Sequence, residues 1–340
     1  MLVEGDDTET EAALARHRLP GHIEVLRLPA GLPRTKPRAL NVALAAARGS
    51  FLVIYDAEDR PDPDQLCMAL AAFAAGPPAL ACVQAALTID NSHDGWLTRL
   101  FTIEYAALFD AFLPSLAALG LPFPLGGSSN HFRVAALRDV GAWDPWNVTE
   151  DADLGLRLAR RGYGMTTIPS STFEEAPNRL GLWMRQRTRW LKGYSLTWWI
   201  HACRPRLLLA DLGVVRFLAL NAIVAGVPLS AMTLPVLLAD FVWRLPHMLA
   251  NGTSVAEAPL AYVDAANLVF GFGATAWLAV AGIRRRRLRG YLGDVCWMPV
   301  YWLLSSVAAY RALFQLAAAP HLWEKTEHGL ARTSRRNNDA

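Results

Sequence analysis

The stretch Phe51-Leu52-Val53-Ile54-Tyr55-Asp56-Ala57-Glu58-Asp59 decides the fold class of this chain. A continuous apolar run of this length, ended by a turn, is typical of a strand buried on both faces of a parallel sheet. The run ends in a cluster of carboxylates, and in open α/β sheets ligands bind at the carboxyl ends of the strands. The stretch therefore predicts an α/β domain with a binding site at this acidic turn.

The flanking sequence alternates strand and helix patterns, as expected of βαβ units. Upstream, strands are predicted at residues 1–3 and 22–28 and helices at 11–18 and 39–48. Downstream, helices are predicted at 63–75 and 154–161, a strand at 81–89, and a glycine-serine turn at 126–132 that opens the next element. Because Met1-Leu2-Val3 is so short, we expect the amino-terminal strand of the domain to be incomplete.

Composition divides the chain into a soluble half and an apolar half. The 340 residues are 53% hydrophobic, which is high for a soluble enzyme. One soluble domain and a membrane region fit this length better than two soluble domains. The stretches 212–243, 260–283 and 291–316 are long enough to cross a bilayer. We expect a domain over residues 1–200, membrane helices over 207–320 and a polar tail over 321–340.

Two further segments are predicted to lie at the membrane surface, at residues 96–119 and 180–205. Both combine aromatic residues with leucine or arginine, as helices at the headgroup boundary do. The acidic opening Glu4-Gly5-Asp6-Asp7 does not fit a secretory signal. We therefore expect a multi-pass protein of the inner cell membrane, in contact with membrane lipid, with its catalytic domain in the cytosol.

The arginine loop at residues 284–289 should be cytosolic, because cytosolic loops carry an excess of Lys and Arg. Three crossings would then place the carboxyl tail outside, although that tail is also basic. Two readings stay open: the last apolar segment does not fully cross, or the first stretch is a hairpin and the arginine loop breaks the rule.

Charge and cysteine usage exclude several classes of protein. A net charge of +3 is too small to indicate nucleic-acid binding. The four cysteines are scattered, without a CxxC pair or matching histidines, which argues against a zinc site or a disulfide framework. A reducing compartment fits this pattern.

The acidic turn after the predicted strand has two interpretations. Acidic residues favour the first turn of a helix, so the turn could be a solvated helix start. Alternatively, Asp56 with either Glu58 or Asp59 could hold a divalent cation through oxygen ligands. Such an ion would stabilise a leaving nucleotide diphosphate as a Lewis acid. Following a fully apolar strand, the second interpretation is favoured.

Thr149-Glu150-Asp151 could be an ordinary helix cap, in which a side chain accepts backbone N–H bonds. A sugar hydroxyl, however, is a poor nucleophile and needs a positioned base, and a carboxylate at a helix start is well placed to act as one. The tripeptide stands between the acidic turn and a cationic, aromatic motif, and this order favours the second reading.

The cationic motif is Gln186-Arg187-Thr188-Arg189-Trp190. Arg189 suits phosphate pairing, and an indole face such as that of Trp190 suits stacking on a sugar ring. Neighbouring tryptophans and cations, Arg187 among them, are interpreted as anchors at the membrane interface. Lys36 could contact nucleotide phosphates or be a solvated cation, and His131 is interpreted as structural.

Together these motifs resemble those of the membrane-integrated glycosyltransferases of family 2, the class of bacterial cellulose, hyaluronan and chitin synthases. The resemblance implies a GT-A (Rossmann-like) nucleotide-diphospho-sugar transferase domain followed by interfacial and transmembrane helices. It implies that Asp6 or Asp7 contacts a uracil-type nucleobase. It also implies that Asp151 is the catalytic base that deprotonates the acceptor hydroxyl. The remaining implied contacts are Lys36 and Asp56 for the donor, Asp56 and Glu58 for the metal, and Gln186, Arg189, Trp190, Gly127 and Ser128 for the acceptor.

The expected function is inverting, metal-dependent sugar transfer from a nucleoside diphosphate sugar, a UDP-sugar by this resemblance, to a growing glycan in exopolysaccharide synthesis. Carboxylate and diphosphate oxygens suit Mg²⁺ or Mn²⁺. Glu58 stands where the family has an aspartate, so its reach to the metal is longer. The alternative is a catalytically silent or truncated membrane partner, working with other subunits of a polysaccharide synthesis or secretion complex. A transporter is disfavoured because the apolar spans lack paired broken helices.

Overall fold

The computed structural model describes residues 1–251, 258–320, 322, 324, 329 and 331–333. Strands and helices alternate through the first half of the chain, and helices fill the second half. The strands are β1 (Leu2–Glu4), β2 (Leu26–Leu28), β3 (Phe51–Ile54), β4 (Arg60–Pro61), β5 (Leu80–Ile89), β6 (Asn130–Arg133) and β7 (Gly164–Glu174). The helices are α1 (Thr8–Ala15), α2 (Lys36–Ala46), α3 (Gln65–Ala75), α4 (Trp96–Ala107), α5 (Leu113–Ala118), α6 (Val134–Asp139), α7 (Glu150–Arg160), α8 (Leu180–Ala202), α9 (Pro205–Leu220), α10 (Gly226–Asn251), α11 (Ala258–Arg285) and α12 (Met298–Ala318).

The strands form two sheets. β1 and β2 pair in parallel, and the other five follow the order β3-β6-β5-β7-β4. The centre is β5, which runs parallel to β7 and antiparallel to β6 and is almost entirely buried. This mixed sheet with helices packed around it confirms the predicted α/β class.

The prediction that the apolar run at residues 51–55 forms a strand buried on both faces of a parallel sheet was wrong. β3 pairs antiparallel with β6 at one end of the five-stranded order, and three of its four residues are only partly buried. The apolar run specified a strand, but it could not specify that β6 would insert between β3 and β5 with the opposite direction. The acidic turn still follows the carboxyl end of β3, as predicted.

Two boundaries also differ from the sequence prediction. The strand predicted over residues 22–28 is limited to β2, Leu26–Leu28. Lys36 does not lie in a loop but is the first residue of α2, where a proline follows at a position that has no intrahelical N–H bond to lose. The short segment at the chain start forms β1 and pairs with β2.

Helix α4 continues through a π-helical turn, Leu108–Phe112, into α5, and its inner face joins the main core. Helix α11 packs against α4 at very short range. A Cβ atom on Gly282 would lie 2.4 Å from the Ala106 carbonyl carbon, so glycine is required for this approach. The carboxyl end of α11 is therefore held directly against the α/β domain.

Four helical segments are long and apolar enough to cross a membrane, by length and composition: Trp96–Ala118, Pro205–Pro246, Ala261–Arg285 and Leu292–Ala318. The first has 56% of its apolar window buried within the protein, against 11% for the second. The second is interrupted at Gly213, whose φ of 72° is left-handed, and by a π-helical turn at Asn221–Ala225, next to the break predicted near Gly226.

The arginine loop and the described part of the carboxyl tail both contact the α/β domain. Arg286 binds Asp110 in the π-helical turn at 2.5 Å. The backbone N–H of Arg332 and the Thr333 hydroxyl donate to Asp94, at 3.0 and 2.7 Å. The arginine loop and the described part of the tail are therefore both packed on the α/β domain.

Candidate active site

The predicted motifs meet in one cavity of about 660 Å³. It lies at the carboxyl end of β3, between the first turns of α2 and α7 and the middle of α8. Residues predicted for the site that line the cavity are Lys36, Asp56, Glu58, Gly127, Ser128, Asp151, Gln186, Arg189 and Trp190. Motifs as far apart in sequence as residues 36 and 190 are thus brought together by the fold.

Lys36 joins two walls of the cavity. Its ammonium group forms an ion pair with Asp56 and donates a hydrogen bond to the Gly127 carbonyl at 2.7 Å. Burial lowers the pKa of Lys36, but Asp56 and the carboxylates of α7 outweigh that effect and raise it above the usual range. Lys36 is therefore a partly buried, fully charged cation and not a solvated surface lysine.

The three acids of the turn have different roles. Asp59 is directed inward, where its carboxylate accepts the Asp56 N–H at 2.7 Å and the Ser128 hydroxyl. Burial raises the pKa of Asp59 to about 6. Asp56 and Glu58 line the cavity instead. The sequence left either Glu58 or Asp59 as the second candidate metal ligand beside Asp56. Of these two, Glu58 lines the cavity together with Asp56.

The acids of the turn at the chain start also differ in whether they line the cavity. Glu4, at the end of β1, lines the cavity together with Leu2, Leu28 and Arg34, whereas Asp6 and Asp7 do not. Asp7 caps α1 by accepting the Thr10 N–H at 2.9 Å, and Asp6 forms an ion pair with the cavity-lining Arg34. Neither Asp6 nor Asp7, the two residues predicted to contact the nucleobase, lines the cavity.

Two adjacent carboxylates open α7 at the cavity wall. Burial raises the pKa of Asp151, although the hydrogen bond from the Ala152 N–H and the charges of Lys36 and Arg189 act in the opposite direction. Burial also raises the pKa of Glu150, and the neighbouring Asp151 charge adds to the effect. The two groups titrate as an interacting pair, in which one proton is held well above the usual pH range of carboxylic acids.

Helix α8 reaches these carboxylates because a glycine permits close contact. A Cβ atom on Gly193 would lie 2.3 Å from Thr149 Cγ2, just before α7 begins. This approach places Arg189 among the carboxylates. Burial lowers the pKa of Arg189, and the charges of Glu150, Asp151 and Asp56 act in the opposite direction. The cation of the motif is therefore part of the charged wall of the site.

Gln186 and Trp190, both predicted to bind the acceptor, form another part of the cavity lining. Gln186 is buried, and its Oε1 atom has no hydrogen-bond partner within the described part of the chain. Trp190 packs against Phe101, with ring centroids 6.0 Å apart, and one part of its surface lines the cavity. An amide oxygen beside an aromatic face is suited to a sugar, which presents hydroxyls at its edge and C–H groups on its face.

Sequence reasoning missed Arg187 and Glu104. Arg187 was interpreted as an interface anchor, yet it is only 9% exposed and lines the cavity with Glu104. An arginine one helical turn from Trp183 and three residues before Trp190 would have been a signal for a buried cation among aromatic rings. The partner Glu104 lies on α4, with no motif around it, so the sequence did not reveal it. His131 lies in β6 with its Nδ1 atom 3.1 Å from the Val83 carbonyl, outside the cavity lining.

The donor atoms fit a hard divalent cation only in part. Asp56 and Glu58 offer oxygen ligands on one turn, which suits Mg²⁺ or Mn²⁺. Within the ranges that the structure describes, no group of three or more His, Cys, Asp or Glu side chains is assembled around a common point. A cation here would need further oxygen ligands from a bound diphosphate and water.

The profile of glycosyl transferase family group 2 matches residues 51–323, most of the chain. The chain belongs to this family. The match begins at β3 and runs through the acidic turn, α7 and α8 to just beyond α12. It covers these walls of the cavity and the apolar helices, while the wall formed by β1, β2 and the start of α2 precedes it.

Two curated relatives illustrate the match. The probable glycosyltransferase YdaM of Bacillus subtilis (strain 168) is 26% identical over 170 residues, which are 50% of this chain and 40% of the relative. A poly-beta-1,6-N-acetyl-D-glucosamine synthase of Staphylococcus aureus (strain COL) is 30% identical over 161 residues, 47% of this chain and 39% of the relative. The matched region spans about two fifths of the length of these relatives.

The mannosyltransferase PcManGT from Pyrobaculum calidifontis, solved in complex with GDP-Man and Mn²⁺, has a similar structure. The TM-score is 0.53 at 18% sequence identity, over 92% of this chain and 76% of that one. This likeness confirms the predicted GT-A fold, including its continuation into helices beyond the α/β domain.

Proposed function

We propose that this chain is an inverting, metal-dependent glycosyltransferase that moves a sugar from a nucleoside diphosphate sugar to a growing glycan in exopolysaccharide synthesis. One observation carries the proposal: a single cavity holds Lys36 and Asp56 on one wall and Asp151 and Trp190 on the others. Family membership and the polysaccharide synthase among the relatives support the same class of reaction.

The donor occupies the side of the cavity formed by β1, β2 and α2. The Lys36 ammonium binds diphosphate oxygens, and Arg189 neutralises the charge that develops as the diphosphate leaves. Glu4 takes the place of Asp6 and Asp7 as the base contact, because it is the carboxylate of that turn that lines the cavity. A carboxylate can accept the imide N–H of uracil, which is consistent with a UDP-sugar donor.

Asp151 removes the proton from the acceptor hydroxyl while that oxygen attacks the anomeric carbon from the face opposite the diphosphate. This direct displacement inverts the configuration and needs one base on the acceptor side. A raised pKa makes the ionised Asp151 carboxylate a stronger base. It also brings the pKa of Asp151 closer to the working pH, where a general base is most effective. Asp56 and Glu58 would hold Mg²⁺ or Mn²⁺, which supplies Lewis-acid stabilisation of the diphosphate.

The domain arrangement follows from contacts at the helix ends. Val227, near the start of α10, lines the cavity, and Arg286, just after α11, binds Asp110 of the α/β domain. Helices of 26 and 28 residues are about 39 and 42 Å long, against roughly 30 Å of hydrocarbon. We therefore assign α10 and α11 as an outgoing and a returning membrane helix.

Helix α12 does not cross in this arrangement. Near its start Tyr301 contacts α8 and α4, and beyond its end the Leu322 carbonyl accepts a hydrogen bond from Lys192 of α8 at 2.7 Å. Both ends therefore stay with the α/β domain, as does the carboxyl tail. This supports the first of the two readings left open by the charge pattern, with arginine loop and tail both cytosolic.

A donor screen tests the proposed function directly. Membranes containing the full chain are supplied in turn with radiolabelled UDP-glucose, UDP-N-acetylglucosamine, UDP-glucuronate and GDP-mannose. At least one donor should label a polymer or oligosaccharide, and its length on a gel distinguishes processive from single addition. Labelling by none of them, together with no calorimetric binding of UDP and Mn²⁺ at millimolar concentration, would favour the catalytically silent partner in a secretion complex.

Replacing Trp190 with Ala should damage transfer far more than replacing Trp199 with Ala. Trp190 lines the cavity, whereas the Trp199 side chain is 64% exposed on the same helix. Loss of a stacking surface costs about 1–3 kcal/mol, which lowers kcat/KM roughly 5- to 150-fold. Trp199→Ala should weaken membrane association in flotation and leave kcat nearly unchanged. Equal effects of the two changes on kcat/KM would mean that the motif serves only as an anchor.

A further inference from the structure

A buried cluster beside the acceptor site is not used by the proposed reaction. We define it as Glu104, Arg187, Tyr301 and Trp183, from α4, α8 and α12. Arg187 donates from its two terminal nitrogens to the two oxygens of Glu104, at 2.6 and 2.5 Å. The guanidinium plane is therefore fixed by a bidentate pair, which a lysine could not reproduce.

The Tyr301 hydroxyl completes the cluster with every hydrogen-bonding capacity used. It donates to Glu104 at 2.6 Å and accepts from Arg187 at 2.7 Å and from the Trp183 indole at 3.0 Å. A hydroxyl has one proton and two lone pairs, so this geometry leaves it no freedom to rotate. The three helices are locked together at this point.

Aromatic rings surround the guanidinium on its remaining sides. The Arg187 guanidinium carbon lies 5.0 Å from the Trp190 ring centroid and 5.1 Å from that of Trp183. The rings of Tyr301 and Phe101 follow at 5.5 and 5.7 Å. Trp190, the ring proposed to stack on the acceptor, thus rests on a cation whose own position is set by α4 and α12.

We infer that Arg187 is a positioning residue that holds the Trp190 ring in its acceptor-binding orientation and makes that orientation depend on the docking of α12. This inference rests on the proposed function for its consequence in catalysis. A buried ion pair is weak evidence for stability, because apolar replacements of similar volume are often as stable. Fixing one orientation of a functional ring is a role that such replacements could not fill.

The test uses the full chain in detergent micelles, with 5-fluorotryptophan incorporated and the Trp190 resonance assigned from Trp190→Phe. The variants are Arg187→Met, the neutral pair Glu104→Gln with Arg187→Met, and Tyr301→Phe. Arg185→Met is the control, since Arg185 is exposed on the same helix. Arg187→Met and the neutral pair should shift or split the Trp190 resonance, Tyr301→Phe should do so to a smaller degree, and the control should leave it unchanged.

Acceptor kinetics and melting temperature separate positioning from simple stability. Arg187→Met leaves Glu104 unpaired and should melt lower, while the neutral pair should regain most of the melting temperature. In both, the acceptor KM should rise about 10- to 100-fold, with UDP affinity unchanged. The inference would be overturned if the neutral pair restored both the melting temperature and the acceptor KM to wild-type values. It would also be overturned if the Trp190 resonance were unchanged in Arg187→Met. If the wild-type chain transfers no sugar, the proposed function fails, and the fluorine spectra still decide whether Arg187 positions Trp190.

Discussion

Asp151→Asn should lower sugar transfer about 10²- to 10⁴-fold while the affinity for UDP remains within a few-fold of wild type. Asparagine keeps the shape of the side chain and can still accept the Ala152 N–H, which now bonds Asp151 at 2.8 Å. It cannot take a proton from the acceptor hydroxyl. The measurement is a single-turnover rate of transfer, with UDP binding followed by calorimetry on the same preparation.

The pH dependence of transfer gives an independent check on this assignment. Asp151 acts as a base only when ionised, and burial raises its pKa. Transfer should therefore be lost as the pH falls through a value above the ordinary carboxyl range, and it should recover as the pH rises again. The acid limb should disappear in Asp151→Asn along with most of the rate.

The matched control is Glu150→Gln, at the neighbouring buried carboxyl. Burial and the Asp151 charge raise the pKa of Glu150, so a neutral side chain resembles its protonated state. Most of the transfer rate should remain, and the acid limb should stay near its wild-type position, because Glu150 already holds its proton in the pH range where Asp151 titrates. A near wild-type rate in Asp151→Asn would remove Asp151 from the role of base.

Sequence patterns predicted the parts of this molecule that depend on local chemistry. The acidic turn after β3, the carboxylates opening α7 and the cationic motif on α8 were each visible because a few adjacent residues carry the signal. Their meeting in one cavity was expected from the resemblance to family 2. Asp56, Asp151 and Trp190 therefore line the same space, as the sequence predicted.

Features that depend on distant partners were not visible. Asp7 and Glu4 are both acids of one turn, and only the three-dimensional course of β1 and α1 shows that the first caps a helix while the second lines the cavity. Arg187 acquires its role from Glu104, 83 residues away, and from Tyr301, 114 residues away. No periodicity in a single segment could indicate either partner.

Removal of divalent cations should abolish transfer. Of the described acids, Asp56 and Glu58 offer oxygen ligands at the donor wall, and oxygen ligands favour Mg²⁺ or Mn²⁺ over softer metals. Without a cation, neutralising the leaving diphosphate would depend on cationic side chains such as Lys36 and Arg189. Exhaustive treatment with EDTA should reduce transfer to background, and Mn²⁺ or Mg²⁺ should restore it, whereas Zn²⁺ should not.

Asp56→Asn connects this requirement to one residue. It keeps the hydrogen-bonding shape near Lys36 but removes the negative charge, so the Mn²⁺ concentration for half-maximal transfer should rise at least ~10-fold. Asp64→Asn is the matched control, since Asp64 is exposed at the start of α3 and makes no side-chain cap bond. Transfer that survives complete chelation would exclude metal dependence and leave Lys36 and Arg189 as the groups that stabilise the leaving diphosphate. An unchanged metal requirement in Asp56→Asn would instead place the cation on other ligands.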